Sequence, residues 1–141
     1  MRENEFEHIL INNLDLIEHG LAFKGNQVNC HGKRVDILCE DRHGQILIVE
    51  VKKVAIRKDV AQLLDYAGHY IADADVPIRV MLVALRIPEN FKRSFDYFGI
   101  EYLELPESDL PIEDFDEQGR SVDNELREDV KTKSGVERGG N

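Results

Sequence analysis

The stretch RVDILCEDRHGQILIVEVKK, residues 34–53, constrains the fold more than any other part of the sequence. Two segments rich in apolar and β-branched residues flank a three-residue loop that ends at Gly44, a residue suited to the left-handed position of such loops. This loop predicts a β-hairpin in which Asp36 lies directly opposite Glu50.

The charged residues of this predicted hairpin need an explanation. Opposed like charges repel, and charged side chains are rarely buried unless they are paired or bound to a metal. Lys52 shares a strand face with Glu50, because strand side chains alternate with a period of two. A hard divalent cation with oxygen ligands, including the Val51 carbonyl, would satisfy this arrangement. The alternative is a salt bridge between Lys52 and one acid, which leaves Asp36 or Glu50 unexplained.

The rest of the first hundred residues predicts further helices and strands around this hairpin. Apolar residues spaced by three and four predict a helix over 3–19, and Asp59 can cap a second helix over 59–71 with Gln62 in a capping-box position. The apolar run 77–85 predicts a central strand covered on both faces. The other predicted elements are strands over 21–30, 34–41, 45–52 and 100–105, and a helix from Pro88 to Phe98.

Charge divides the chain into a folded part and an acidic end. Residues 101–141 carry thirteen acidic and five basic residues, so they hold most of the net charge of −10. We therefore expect one α/β domain over 1–106 and a largely disordered acidic tail over 107–141, with a short helix near 122–130.

Several features predict a cytoplasmic protein that does not associate with membranes. The first residues, MRENEFEH, lack the apolar run expected of a signal peptide, and no stretch has the apolar length of a membrane span. Cys30 and Cys39 lie in predicted strands without metal-binding spacing, so we interpret them as reduced core residues.

A group of basic residues flanks the hairpin and predicts contact with the phosphates of a nucleic acid. The alternative is a solvated basic edge that prevents strand pairing with other chains. The candidate nucleic-acid-binding residues are Lys33, Arg34, Lys53, Arg57 and Lys58.

The hairpin motif resembles a nuclease signature. Asp36, thirteen intervening residues and then Glu50-Val51-Lys52 are similar to the PD-(D/E)XK pattern, in which a carboxylate precedes E-x-K on the next strand. With the segment DVAQLLDYAGHY and the leading ENEFEHILINN, residues 2–105 resemble the catalytic domain of NucS/EndoMS-type endonucleases. The resemblance implies a restriction-endonuclease-like fold, with a mixed central sheet flanked by helices.

The same resemblance implies a candidate site and a metal. It places Mg²⁺ or Mn²⁺ on Asp36, Glu50 and the Val51 carbonyl, with Lys52 orienting or helping to deprotonate the attacking water. Further catalytic candidates are the helix pair Gln62 and Tyr66, and Glu3 as an extra acidic residue, with Glu5 as the alternative. Taken without the resemblance, Gln62 and Tyr66 could form the solvated face of an amphipathic helix, and Glu3 could stabilise a helix N-terminus.

Three function classes follow from these patterns. The first is a metal-dependent endonuclease acting on single-stranded, mismatched or branched DNA in repair, recombination or defence. The second is a catalytically silent nucleic-acid-binding module, and the third is an acidic interaction protein whose tail binds a protein partner. A binding module has little physical need for a repelling carboxylate pair, which favours the endonuclease. Homodimerisation is a further expectation.

Overall fold

A computed structural model of the chain describes residues 1–30, 32–73 and 78–118. They form a five-stranded mixed sheet whose strands are β1 (Ala22–Cys30), β2 (Lys33–Glu40), β3 (Ile46–Val54), β4 (Ile78–Arg86) and β5 (Glu101–Glu104). The strands follow one another in sequence order across the sheet. Neighbours from β1 to β3 are antiparallel, and those from β3 to β5 are parallel.

Helices cover both faces of this sheet, which confirms the predicted mixed α/β architecture. The helices are α1 (Glu3–Asn12), α2 (Arg57–Asp73) and α3 (Glu89–Phe98), with 3-10 turns at Leu14–Leu16 and Glu107–Asp109. Phe6 and Leu10 of α1 pack in one core with Val83, whereas Leu63 of α2 and Phe95 of α3 pack in another with Leu82. Because Leu82 and Val83 are consecutive in β4, the two cores lie on opposite faces, as predicted for this strand.

The hairpin between β2 and β3 has the predicted register. Gly44 has a φ of +83°, and the Asp41 amide donates to the Gln45 carbonyl at 2.8 Å. Ile37 pairs with Val49 next to the predicted Asp36/Glu50 position. Local loop chemistry therefore fixes which residues of the two strands face each other.

The first helix is shorter than the predicted 3–19. α1 ends at Asn12, and the Asn13 side chain donates to the Ile9 carbonyl at 2.8 Å. A short polar side chain that bonds a carbonyl of the preceding turn competes with continuation of the helix. The remaining apolar positions lie in the 3-10 turn and the loop after it.

The start of α2 also differs from the prediction. The helix begins at Arg57, and Asp59 Oδ2 accepts the Ile56 amide at 2.8 Å. Asp59 is thus the third helical residue reaching back to the residue before the helix, which is the acidic half of a capping box. Gln62, predicted for that role, bonds Tyr66 instead.

The prediction of disorder from residue 107 is wrong for residues 107–118. Leu110 is 9% exposed in the core beneath α1, and Phe115 packs against the same core. The Arg2 guanidinium donates to the carbonyls of Asp116 and Glu117 at 3.1 and 2.8 Å. Two apolar side chains and the hydrogen bonds from Arg2 therefore hold this acidic segment against the domain. The rest of the predicted tail, with its predicted helix over 122–130, lies outside the described residues.

None of the helices in the described ranges has the length and apolar character needed to cross a membrane.

Candidate active site

The charged side chains of the hairpin meet near the C-terminal end of β3. Lys52 Nζ lies 3.7 Å from Glu50 Oε1 and 3.8 Å from both Glu3 Oε1 and Asp59 Oδ1. These are ion pairs at distances longer than a hydrogen bond. We call these four residues the Lys52 cluster; it brings the N-termini of α1 and α2 to the end of β3.

Glu50 is a buried carboxylate whose hydrogen-bonding capacity is not fully used. Its side chain is 2% exposed, and Oε2 has no hydrogen-bond partner among the described residues. Burial, followed by the charge of Asp36, raises the pKa of Glu50 to about 8. An oxygen in this position gains strongly from a cation that replaces the proton.

Asp36 lies beside Glu50 and is held by two donors. The Val51 amide donates to Oδ2 at 2.8 Å, and Gln27 Nε2 donates to Oδ1 at 3.2 Å. The first of these bonds ties Asp36 on β2 to the strand that carries Glu50. The structure thus brings together the carboxylate pair that the hairpin predicted.

Two residues that the sequence analysis missed extend this site. Gln27 Nε2 also lies 3.0 and 2.9 Å from the two carboxylate oxygens of Glu7. Glu7 is 9% exposed, and burial, reinforced by the charges of Asp36 and Glu3, raises its pKa despite the Gln27 bonds. The spacing of Glu3 and Glu7, one helical turn apart, would have indicated Glu7. Nothing in the sequence indicates Gln27, whose φ of +51° is unusual for a residue other than glycine.

The geometry distinguishes the two candidates for an extra acidic residue. Glu3 contacts Lys52, whereas Glu5 Oε1 accepts the Arg2 amide at 2.8 Å and helps to cap α1. Glu3 therefore borders the candidate site, and Glu5 supports the helix start.

Gln62 and Tyr66 form a hydrogen-bonded pair that is anchored to β2. Gln62 Nε2 donates to the Tyr66 hydroxyl at 2.7 Å, and that hydroxyl donates to the Arg34 carbonyl. Tyr66 is 1% exposed, so it does not belong to a solvated helix face, which was the alternative interpretation of this residue. Tyr66 follows Leu63 by three residues, which places both side chains on the buried face. The ring is buried while its hydroxyl finds a partner.

The candidate nucleic-acid-binding residues lie on several elements. Lys33 of β2 pairs with Asp65 of α2, and both line an open groove of about 690 Å³ that also includes Gln62. The other basic candidates are exposed; they are Arg34, Lys53, Arg57 and Lys58.

The donor set fits a hard cation that keeps part of its water shell. Nowhere in the described ranges do three or more His, Cys, Asp or Glu side chains form a group that could hold a metal alone. Mg²⁺ commonly binds proteins through one or two carboxylates and retains several waters. Asp36 and the unpartnered Glu50 oxygen meet that smaller requirement, and the Val51 carbonyl would add a third oxygen.

Comparison with known proteins gives concordant matches. A family model described as the endonuclease NucS C-terminal domain matches residues 2–129. Endonuclease NucS of Methanopyrus kandleri is 23% identical over 113 residues, which are 79% of this chain and 43% of that protein. A repair endonuclease from Pyrococcus abyssi superposes with a TM-score of 0.68 at 24% identity, over 75% of this chain and 47% of that one.

A structure of EndoMS in complex with double-stranded DNA has a TM-score of 0.66 at 27% identity, over 74% of this chain and 45% of that one. The chain thus spans less than half the length of each of these relatives.

Proposed function

Because this chain belongs to the endonuclease NucS C-terminal domain family, we propose that it is a divalent-metal-dependent endonuclease that hydrolyses phosphodiester bonds in DNA. One observation carries the proposal. Glu50 lies beside Asp36, and its buried Oε2 has no hydrogen-bond partner among the described residues. The other oxygen of Glu50, Oε1, lies 3.7 Å from Lys52 Nζ. Such an arrangement is costly for folding and useful for binding a cation and a phosphate.

The proposed metal ligands are Asp36, Glu50 and the Val51 carbonyl. These oxygens would hold Mg²⁺ or Mn²⁺, which would supply positive charge for a phosphate oxygen and would lower the pKa of a water. The Val51 amide, on the strand that also carries Glu50, keeps Asp36 in place by donating a hydrogen bond to it. Because a proton and a cation compete for Glu50, the raised pKa of Glu50 predicts tighter metal binding as the pH rises towards 8.

Lys52 acts mainly as a fixed positive charge in this proposal. Burial opposes its charge, but Glu3, Glu50 and Asp59 outweigh that effect and raise the pKa of Lys52. A protonated ammonium orients the attacking water and balances the negative charge that develops on the phosphoryl group. Of the two roles that the sequence suggested, orientation is therefore favoured over removal of the water proton.

Gln62 and Tyr66 have different roles in this proposal. The Tyr66 hydroxyl is used by Gln62 and the Arg34 carbonyl, so Tyr66 holds the helix against β2. Gln62 lies at the groove beside Lys33 and can turn its amide towards the scissile phosphate. The basic residues bind flanking phosphates, with Lys33 available once it leaves Asp65.

The proposal includes a class of substrate, and one relative indicates that this substrate is DNA. A solved structure contains EndoMS in complex with double-stranded DNA. We propose DNA with an unpaired, mismatched or branched feature as the substrate class. The second candidate is a nucleic-acid-binding module without activity, which the family likeness and basic surface also support.

Incubation of the purified protein with labelled DNA and RNA panels in Mg²⁺, Mn²⁺ and EDTA tests this function. We expect internal cleavage of DNA with either metal and none with EDTA. Lys52→Ala should remove the cleavage, and Lys24→Ala, which affects only an exposed pair with Glu40, is the matched control. Binding without cleavage under all conditions would leave the silent module.

The acidic C-terminal residues enter the proposal as a competitor of DNA. Because residues 107–118 pack against the domain, truncation is best placed after residue 118. Loss of residues 119–141 should tighten binding of a short oligonucleotide, most strongly at low ionic strength. Equal affinities of the full and truncated chains at low salt would leave the tail a role in solubility or protein binding.

A further inference from the structure

Asp59 is the most deeply buried member of the Lys52 cluster. Its side chain is fully buried, and Oδ2 accepts the Ile56 amide at 2.8 Å. Its other oxygen, Oδ1, has no hydrogen-bond partner among the described residues and lies 3.8 Å from Lys52 Nζ. One oxygen therefore holds the start of α2, and the other faces the ammonium.

The cap alone does not explain a carboxylate at this position. A neutral side chain can play the same part, because Gln also reaches back from the third helical position to the backbone amide before the helix in a capping box. Burial of a carboxylate is costly unless a positive charge lies close to it. Lys52 is the positive charge that the ion-pair geometry supplies.

The three anions around Lys52 differ in how firmly they are held. Glu3 is the first residue of α1 and its side chain is 46% exposed, so it can turn towards solvent or substrate. Glu50 is a proposed metal ligand, so a bound cation draws its charge away from Lys52. Asp59 is buried and fixed to the backbone, and it keeps its position in either case.

We infer that Asp59 is a positioning residue that holds the Lys52 ammonium in place when Glu50 is engaged by a cation. This inference rests on the proposed nuclease function. Gln62 follows Asp59 by three residues in α2, so the same helical turn positions both Lys52 and Gln62. The sequence suggested Asp59 only as a helix cap.

The test separates the charge of Asp59 from its capping bond. Asp59→Asn keeps an acceptor for the Ile56 amide at the same side-chain length and removes the charge, whereas Asp59→Ala removes both. For Asp59→Asn we expect a melting temperature close to that of the wild type, an unchanged KM for DNA and a kcat lower by about 10- to 100-fold, as for a displaced catalytic group. Asp59→Glu should recover less than full activity because its longer side chain shifts the charge.

A second measurement does not need cleavage. NMR relaxation of labelled lysine side chains, recorded with and without diamagnetic Mg²⁺, reports the order of the Lys52 ammonium. We expect Lys52 to become more mobile in Asp59→Asn, above all with Mg²⁺. Asp41→Asn is the matched control, because Asp41 is also a buried aspartate that accepts backbone amides and faces a cation. It should lower the melting temperature and leave the order of Lys52 unchanged.

The outcomes distinguish this inference from the function on which it rests. If the wild type cleaves no nucleic acid, the proposed function fails, and the order of Lys52 still decides whether Asp59 positions it. If Asp59→Asn keeps both wild-type kcat and wild-type order of Lys52, Asp59 is a helix cap only and the inference is overturned.

Discussion

Two clusters of one cation and three carboxylates occur in this domain, and they are built in opposite ways. In the first, which we call the Arg79 cluster, Arg79 binds Glu18, Asp41 and Glu101. Its five guanidinium hydrogen bonds are 2.6 to 3.0 Å long. In the Lys52 cluster all three ion pairs are 3.7 to 3.8 Å long. The first arrangement is satisfied, whereas the second leaves buried oxygens without partners among the described residues.

The pKa shifts follow this difference in geometry. Burial opposes the charge of Asp41, but the Gln45 amide and Arg79 outweigh it and lower the pKa of Asp41. Burial and the charge of Asp36 instead raise the pKa of Glu50 to about 8. Well-paired carboxylates stabilise a fold, whereas carboxylates left without adequate positive charge indicate a site for a cation.

The sharpest test of this comparison is to remove each cation. Lys52→Ala should lower DNA cleavage by about 10²- to 10³-fold, the usual effect of removing a group that stabilises charge in the transition state. Because the ion pairs of Lys52 are 3.7 to 3.8 Å long, its removal should cost less stability than removal of Arg79, and the variant should remain folded. Cleavage assays with circular dichroism on the same sample check both halves. Unfolding of Lys52→Ala would make the cluster a structural ion network.

Arg79→Ala should have the opposite outcome. Removal of the guanidinium leaves the buried Asp41 carboxylate without its cation, which costs about 3–5 kcal/mol of stability for a buried pair. Urea denaturation measures this loss. Activity per folded molecule should stay near that of the wild type; a selective loss of cleavage would mean that Arg79 supports the site.

Binding of a divalent cation at Asp36 and Glu50 should stabilise the protein, whereas the Arg79 cluster should not contribute to this effect. At 100 times its dissociation constant, Mn²⁺ should add about 2.7 kcal/mol to the free energy of unfolding. Asp36→Ala should abolish the resulting rise in melting temperature, and Asp41→Asn should keep it. Calorimetry showing equal Mn²⁺ affinity in Asp36→Ala and the wild type would place the metal elsewhere.

The two clusters should also show an opposite pH dependence of stability, measured as melting temperature in EDTA. The pKa of Glu50 is raised from 4.5 to about 8, so the stability that Glu50 contributes is present below pH 4.5 and lost as the pH rises through 8. The melting temperature of Glu50→Gln should therefore rise relative to that of the wild type as the pH increases across this range.

The pKa of Asp41 is lowered from 3.8, so its contribution is present above pH 3.8 and lost as the pH falls further. Asp41→Asn should thus be most destabilising at neutral pH and approach the wild type in acid. Parallel pH profiles for Glu50→Gln and Asp41→Asn would remove the distinction between the two clusters.

The sequence alone determined the centre of the candidate site. The loop ending at Gly44 and the period of two set the hairpin register, so the residue order was enough to place Asp36, Glu50 and Lys52 on one patch. These relations are local, because a short turn and a pleated strand leave few alternatives. The mixed sheet with helices on both faces followed from the order of the elements in the same way.

Only the tertiary structure decided what surrounds that centre. Asp59 belongs to a helix whose N-terminal turn meets Lys52 after packing, and Gln27 reaches both Glu7 and Asp36 from β1. Tyr66 is buried because β2 offers its hydroxyl a carbonyl, and residues 107–118 fold back because the core beneath α1 accepts two apolar side chains. Contacts between segments far apart in the chain depend on how whole elements pack, and no local pattern of residues encodes them.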